Sequence, residues 1–282
     1  MEVDRPIFVV APHRSGTTLL VDTLAQHEQV ASFTRVHHRM PWWPRGAALL
    51  DSLLRSPVPH EAQHVWDRFR RRDTDDTATA AEATEAERRF FRAMVAHAVA
   101  ARGAKRFVAK YPRLSVRVGW LDALFPDALF VHLARDWRAV VLSTVKRKRK
   151  RGAYSERWFG VRIPGWRELR GRSDVEQSAA IFRHVTLELE AQRRRLGDRM
   201  VTLSYEQLCA TQRSSLIALC GQLALPRSPR FESGELPTIL ASFGRWRSEL
   251  DPADVAMIRA TDPEFFGRYE LEPDPTRLPA PA

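Results

Sequence analysis

The sequence predicts an α/β fold in three layers, with a central parallel β-sheet flanked by helices on both faces. Four short apolar runs, each bounded by turn or polar residues, have the composition of buried strands; they are residues 7–11, 106–110, 128–134 and 200–204. Each of these runs is followed by a stretch with helical periodicity. Strands that alternate with helices pack as a parallel sheet covered on both faces.

The first predicted strand, together with the turn and helix after it, has the clearest sequence pattern. Residues 7–11 (IFVVA) are β-branched and aromatic, and the run is too short for a helix. A turn containing Pro, Gly and Ser follows, and an amphipathic helix is predicted over residues 17–27. The same order recurs after Val131 and after Leu203, which favours a repeated strand, loop and helix arrangement.

A long excursion, residues 34–104, separates the first two predicted strands and is mostly helical. Thr79 and Glu82 have capping-box spacing for a helix that Gly103 is placed to end. A long basic helix is predicted over residues 174–196.

We expect residues 1–272 to form a single domain. The proline-rich segment 273–282 is expected to be a disordered tail.

Composition excludes several classes of protein. The 282 residues are 44% hydrophobic, which suffices for a sizeable core, and no run of eighteen apolar residues predicts a membrane-spanning helix. The 13 Gly and 18 Pro are ordinary numbers, so a collagen-like or wholly disordered chain is excluded.

The net charge of +11 leaves two interpretations open. Such a charge is typical of chains that bind nucleic acid or another polyanion. Of the 45 basic residues, however, 40 are arginines spread along the chain, as a GC-rich genome would also produce.

The cysteines and the N-terminus predict a cytoplasmic protein. Cys209 and Cys220 lie in a segment that we interpret as one helix, and two cysteines are too few for a disulfide framework or a zinc site. The first residues show no secretory leader.

The first turn, residues 11–20 (APHRSGTTLL), predicts an anion-binding site. Backbone N–H groups, the positive end of a helix dipole, hydroxyls and a guanidinium converge there. We single out the following candidates: Arg14, Ser15, Gly16, Thr17 and Thr18. The alternative is an ordinary turn in which Ser15 or Thr17 only caps the helix.

A Walker-type phosphate loop fits this turn less well. Ala11 stands where that pattern has its first Gly, and Thr17 stands where it has Lys. Without the lysine, the sequence favours a site for a metal-free 5′-anion, and we expect no metal.

These residues resemble a known family. PHRSGTTLL is similar to the 5′-phosphosulfate loop of sulfotransferases that use 3′-phosphoadenosine 5′-phosphosulfate (PAPS), in the branch that carries Arg in that loop. Residues 124–143 (LFPDALFVHLARDWRAVVLS) resemble the family's 3′-phosphate block. The resemblance implies a P-loop-like sulfotransferase fold, PAPS as cofactor, and a 3′-phosphate held by Arg135 and Ser143.

The position of Arg135 agrees with this implication. It follows a predicted parallel strand at its carboxyl end, where open α/β folds bind ligands, and a guanidinium suits a phosphate dianion. The alternative is an ion pair with Asp136.

Three weaker similarities add further candidates. The family's Lys-x-Pro strand ending implies that Lys110 lies near the transferred group, and VTLSYEQL implies that Tyr205 lies against the nucleotide. FGRWRSEL resembles a late basic segment that closes over the nucleotide, with Arg245 on a phosphate and Trp246 on the adenine.

The general base is harder to assign. The segment VASFTRVHHRMPWWP has no Glu, so His37 and His38 are the nearest candidates, because histidine titrates near neutral pH. His60, His64 or an acceptor-assisted mechanism remain alternatives.

The basic run Lys146 to Arg151 ends a predicted helix that starts near Trp137. Such a run is usually a solvated helix end, where the dipole favours cations. If it borders the cleft, Ser143, Arg147 and Lys150 share one face and could steer an anion.

The sequence thus predicts a PAPS-dependent sulfotransferase that acts on a hydroxyl or amine of a small-molecule acceptor, with no nucleic-acid partner. Acceptor contacts are expected in residues 34–104 and 152–175, where Trp42 and Trp43 form either an apolar wall or part of the core. The alternatives are a polyanion-binding protein and an ATP-dependent kinase-like enzyme. The sequence carries no signal for oligomeric state.

Overall fold

A five-stranded parallel sheet forms the centre of the protein. The computed structural model describes residues 3–54, 58–70, 74–150, 158–233, 236 and 244–272. The strands are β1 (Ile7–Val10), β2 (Val30–Ala31), β3 (Arg106–Ala109), β4 (Leu129–Ala134) and β5 (Met200–Ser204). Their order across the sheet is β2-β3-β1-β4-β5, and each neighbouring pair is parallel. The predicted α/β class is confirmed.

Helices make up most of the rest of the described chain. The first six are α1 (Thr17–Leu24), α2 (Arg35–Arg39), α3 (Pro44–Leu54), α4 (Gln63–Trp66), α5 (Glu85–Ala101) and α6 (Val118–Leu124). They are followed by α7 (Trp137–Arg149), α8 (Asp174–Leu196), α9 (Tyr205–Ala210), α10 (Gln212–Gln222), α11 (Pro229–Ser233), α12 (Trp246–Glu249), α13 (Pro252–Thr261) and α14 (Pro263–Arg268). Short 3₁₀ helices lie at Ala80–Glu82, Pro112–Val116, Glu168–Gly171 and Gly197–Arg199.

The alternation of side chains along β1 divides the core into two layers. Phe8 and Val10 point to a cluster that includes Phe91 of α5. Ile7 and Val9 point to the opposite cluster, which includes Leu20 of α1. Because both faces of β1 are buried, the strand is apolar at every position, as expected for an interior parallel strand.

A third apolar cluster fixes α7 against α8 and α14. Trp137, Phe182 and Phe266 are buried in it, and the Trp137 and Phe266 rings lie 4.9 Å apart. This packing positions the face of α7 that carries Ser143.

Two local predictions were wrong, and one strand was missed. Thr79 and Glu82 do form a capping box, but it opens the short 3₁₀ helix; α5 begins later, where Thr84 accepts from the Glu87 N–H and Glu87 caps in return. The cysteines lie in two helices, α9 and α10, because the chain leaves helical geometry at Thr211. Strand β2 was not predicted.

The order of the strands determines what lies near the first turn. Strand β1 is central, with β3 on one side and β4 on the other, so the residues after all three strands meet at one edge. Lys110 follows β3 and Arg135 follows β4. The loop after β1 therefore has a lysine side and an arginine side.

No helix in the described part of the chain is both long and apolar enough to span a bilayer. The predicted tail 273–282 and Arg151 lie outside the described residues.

Candidate functional site

The loop between β1 and α1 has the backbone shape of an anion cradle. Arg14 and Gly16 both have positive φ, 70° and 96°. Gly16 is also the residue before the first turn of α1, which begins with Thr17 and Thr18. A Cβ on Gly16 would lie 2.5 Å from the Tyr205 ring, so only glycine fits between α1 and that ring.

The hydroxyl of Ser15 is buried at the centre of this loop. Among the described residues it has no hydrogen-bond partner, although Ser15 is 0% exposed. A buried polar atom without a partner is costly, so the loop is suited to a ligand that accepts or donates a hydrogen bond there.

Arg14 extends from the loop to α7. Its Nε donates to Oγ of Ser143 over 3.1 Å. Burial and the nearby guanidinium groups of Arg147 and Arg135 lower the pKa of Arg14. This crowding of positive charge is what an anion bound here would relieve.

Arg135 contacts both the loop and the first residue of α9, Tyr205. Its guanidinium donates to the backbone carbonyl of Arg14 over 2.9 Å and lies 4.0 Å from the centre of the Tyr205 ring. Burial raises the pKa of Tyr205 to about 12, so the phenol is neutral. Asp136, the alternative partner considered for Arg135, caps α7 and pairs with Arg138.

Supporting residues that gave no signal in the sequence hold this arrangement. Ser115 accepts from the N–H of Ala11 and donates to its carbonyl, which fixes the end of β1. Glu206 accepts from the N–H of Asp136, which ties β4 to α9. His13 is buried against Phe159, and burial followed by the charge of Arg14 lowers its pKa to about 4.

A cavity of about 240 Å³ lies between α1 and the end of β3. Thr18 and Asp22 of α1, Lys110 after β3, and the His60–Glu61 segment line it. Lys110 forms an ion pair with Glu61. Asp22 and Thr18 are one helical turn apart, a spacing that could have indicated Asp22 from the sequence. Nothing local indicated Glu61, because its partner is distant in the chain.

Three titratable groups of this cavity differ in what they can do. Burial raises the pKa of Asp22, against the attraction of Lys110, and in the described residues its carboxylate forms no ion pair. Glu61 is occupied by Lys110. His60 Nδ1 accepts from the N–H of Ala62, and burial lowers the pKa of His60, so the neutral ring carries its proton on Nε2.

The two histidines expected to supply the base lie elsewhere. His37 is buried, and its Nδ1 accepts from the N–H of Thr34, which makes it part of the cap of α2. Burial lowers its pKa to about 4. His38 stacks on His64, with ring centres 3.9 Å apart. Neither lines the cavity beside Lys110.

The late basic segment lies along α7. Arg245 is exposed and donates to Glu249 over 3.1 Å, and Glu249 also pairs with Lys146. Trp246 lies over the Arg138 guanidinium at 3.8 Å. Arg245 is therefore engaged within its own helix in this structure.

The basic residues at the end of α7 lie on different faces of the helix and have different partners. Lys146 and Lys148 pair with Glu249 and Asp174, away from the loop. Arg147 faces the site closely enough to lower the pKa of Arg14. Lys150 is exposed.

Comparison with known protein families agrees with this geometry. Residues 6–229 match a family model described as the sulfotransferase family. The chain belongs to the sulfotransferase family. It is thus a transferase that moves a sulfuryl group, as predicted. No curated protein matches this sulfotransferase in sequence.

Solved structures show the same fold at low identity. Sulfotransferase STF9 from Mycobacterium avium is 16% identical, with a TM-score of 0.67 over 96% of this chain and 78% of that chain. The sulfotransferase domain from the curacin biosynthetic pathway is 13% identical, with a TM-score of 0.55 over 93% and 98%. Sulfotransferase STF1 from Mycobacterium tuberculosis H37Rv is 16% identical, with a TM-score of 0.54 over 95% and 77%.

The site of this sulfotransferase therefore has two halves that meet at the start of α1. Cations, hydroxyls and an aromatic ring collect on the β4 and β5 side. A cavity with a carboxylate and a lysine lies on the β3 side. Within the described ranges, no group of three or more His, Cys, Asp or Glu is arranged to hold a metal ion.

Proposed function

We propose that this sulfotransferase takes the sulfuryl group from PAPS and transfers it to a hydroxyl or amine of a small-molecule acceptor. One observation carries the proposal. The anion cradle formed by Arg14, Gly16 and Arg135 directly precedes α1, and α1 lines a cavity together with Lys110 through Thr18 and Asp22. Donor and acceptor sites that meet at the start of one helix suit a direct transfer between two bound molecules.

The residues fit a nucleotide with phosphate groups at both ends. The unpartnered Ser15 hydroxyl and the start of α1 suit the 5′ end, where Thr17 and Thr18 add hydroxyl donors. Arg135 and Ser143 suit the 3′-phosphate, because a guanidinium and a hydroxyl can both donate to its oxygens. Tyr205 supplies an aromatic face beside them.

When bound, PAPS supplies an activated sulfuryl group, and the bond from sulfur to the bridging phosphate oxygen is the one that breaks. Arg14 and the N–H groups of the loop would stabilise the negative charge that develops on that oxygen. Lys110, at the end of β3, would orient the group in transfer from the cavity side.

Asp22 is the base that the cavity favours. Its carboxylate is half-buried, forms no ion pair among the described residues, and has a raised pKa, so it can take a proton from an acceptor hydroxyl. Neutral His60 carries its proton on Nε2 and so has no free acceptor nitrogen, and Glu61 is paired with Lys110. The role first expected of His37 or His38 therefore passes to Asp22 in this proposal.

The cavity also limits the acceptor. Its volume of about 240 Å³ accommodates a small molecule or the reactive end of a larger one. Val21 and Val108 also line the cavity and add apolar side chains to the charged groups. This combination favours an acceptor whose hydroxyl is carried on an apolar framework.

A thermal-shift series tests the proposed donor. Adenosine 3′,5′-bisphosphate at micromolar concentrations without Mg²⁺ is expected to raise the Tm more than ATP with Mg²⁺ does. A larger shift with ATP and Mg²⁺ would support the kinase-like alternative. A shift produced by heparin but by no nucleotide would support the polyanion-binding alternative.

A further inference from the structure

Helix α3 and the residues before it present an unusual apolar surface to solvent. We define the α3 surface by six side chains, which are Trp42, Trp43, Leu49, Leu50, Leu53 and Leu54. Leu53 is 72% exposed and Leu49 is 63% exposed. Of the ten large hydrophobic residues exposed in the described chain, six belong to this surface. Single exposed leucines are ordinary, but such a concentration marks an interaction site.

The surface belongs to a firmly packed helix. The opposite face of α3 includes the buried Ala47 and Ala48, and α3 packs against α5. Asp51 on that face pairs with Arg102 and accepts from the Thr34 hydroxyl over 2.6 Å. The inner face of α3 is thus already packed and hydrogen-bonded within the protein. The leucines lie on the other face of α3 and point to solvent.

The tryptophans extend this surface at the start of the helix. Trp42 and Trp43 are 61% and 54% exposed, and a Cβ on Gly46 would overlap the Trp43 ring, so that ring lies across the first turn. Exposed tryptophans next to an apolar helix face are typical of the boundary between lipid headgroups and acyl chains.

The exposed charges of residues 35–54, the segment that carries the α3 surface, are of one sign. Arg35, Arg39 and Arg45 are exposed, whereas the one carboxylate between residues 35 and 54, Asp51, is buried in its ion pair. An apolar face beside exposed arginines complements a surface that is negatively charged outside and apolar beneath.

We propose that the α3 surface docks this protein on an anionic lipid bilayer, with α3 lying in the plane of the membrane interface. At eleven residues, α3 is too short to cross a bilayer, so the contact is peripheral. A second copy of the chain is a poorer partner, because a two-fold contact would bring arginines near arginines. This inference does not depend on the proposed donor or acceptor.

Vesicle co-sedimentation tests the proposal. The full chain is mixed with vesicles of phosphatidylcholine alone, or with about one third phosphatidylglycerol. We expect sedimentation with the anionic vesicles, weakened by high salt, and at least about tenfold weaker partition to neutral ones. Equal partition to both kinds of vesicle, or to neither, would overturn the proposal.

A pair of double variants locates the contact. Leu49→Gln with Leu53→Gln is expected to reduce partition by about tenfold or more, because two apolar side chains no longer enter the interface. The matched control, Ile217→Gln with Met257→Gln, changes exposed apolar residues elsewhere and is expected to partition like the wild type. Equal losses in both variants would contradict the assignment to α3.

Two further measurements complete the test. An unchanged Tm shows that the Leu49→Gln, Leu53→Gln variant is folded. If that variant does not fold, the Arg39→Gln, Arg45→Gln variant is used in its place, and we expect it to lose membrane partition to the same extent. Light scattering measures the oligomeric state. A dimer that the leucine variant dissociates, without vesicle binding by the wild type, would assign the surface to a second copy instead.

Discussion

The guanidinium of Arg14 donates a hydrogen bond from Nε to Oγ of Ser143, across 129 positions of the chain. Arg135 donates to the backbone carbonyl of the same arginine. The loop after β1 is therefore held by both residues that the resemblance to sulfotransferases assigns to the 3′-phosphate. Hydrogen bonds therefore join the residues proposed for the 5′ end of the nucleotide to those proposed for its 3′-phosphate.

This connection predicts coupling between Arg14 and Ser143. Ser143→Ala removes one hydrogen bond and is expected to weaken binding of adenosine 3′,5′-bisphosphate by about fivefold to tenfold, since a net hydrogen bond contributes about 1 kcal/mol. Titration calorimetry on both single variants and the double variant with Arg14→Ala measures the coupling. If the losses of binding free energy in the two single variants add up to the loss in the double variant, the hydrogen bond does not support binding.

Gly16 is predicted to be intolerant of a methyl group. Gly16→Ala combines a positive φ with a Cβ that would lie 2.5 Å from the Tyr205 ring. We expect the free energy of unfolding, measured in urea, to fall by about 1–3 kcal/mol, together with loss of bisphosphate binding. The control is Gly171→Ala, where an added Cβ meets no atom within 4 Å. Wild-type binding by Gly16→Ala would contradict the proposed role of the loop.

Asp22→Asn is predicted to abolish most turnover and to spare donor binding. Losing a general base costs about 10²–10⁴ in rate, whereas the cradle residues stay unchanged. The acceptor for this assay is first identified by a mass-spectrometric screen for a gain of about 80 mass units, one SO₃ group. The exposed Asp198→Asn serves as the matched control. If the turnover of Asp22→Asn stays within about twofold of wild type, Asp22 is not the general base.

Acid is predicted to destabilise the fold through its buried histidines. Burial lowers the pKa of His132, in β4, to about 4, from an ordinary value of 6.5. The unfolded chain then binds the proton more tightly, so stability present above pH 6.5 is lost as the pH falls toward 4.

His132→Leu tests this linkage. Its free energy of unfolding should vary less steeply with pH in that interval, by at most about 1.4 kcal/mol per pH unit, because one titrating group is gone. Chemical unfolding followed at several pH values between 4 and 7 measures the slope. Parallel curves for variant and wild type would mean that His132 is not a source of the acid sensitivity.

The main strands and the cradle were accessible from the sequence because their signals are local. The run at β1 is apolar at each position, and the small polar residues directly after it are typical of a turn that binds an anion. Arg135 could be placed because a parallel strand brings its carboxyl end to the ligand edge. Strand β2 gave no such signal, since Val30 and Ala31 are too few to show a period.

The acceptor side was less accessible because it depends on distant contacts. Lys110 finds its carboxylate in Glu61, forty-nine positions earlier, and no spacing predicts that pair. His37 looked like a base in the sequence, but the cap of α2 uses its Nδ1. The sequence shows which titratable residues could serve as a base, but only the tertiary structure shows which of them line a cavity.

The most direct test of the proposed donor site compares two nucleotides that differ only in the 3′-phosphate. Titration calorimetry measures the affinity of adenosine 3′,5′-bisphosphate and of adenosine 5′-monophosphate for wild type and Arg135→Ala. We predict that the wild type prefers the bisphosphate by about tenfold to a hundredfold, as a charge-assisted contact to phosphate implies, and that Arg135→Ala loses most of this preference. Equal affinity of the wild type for both nucleotides, or an undiminished preference in Arg135→Ala, would contradict the account.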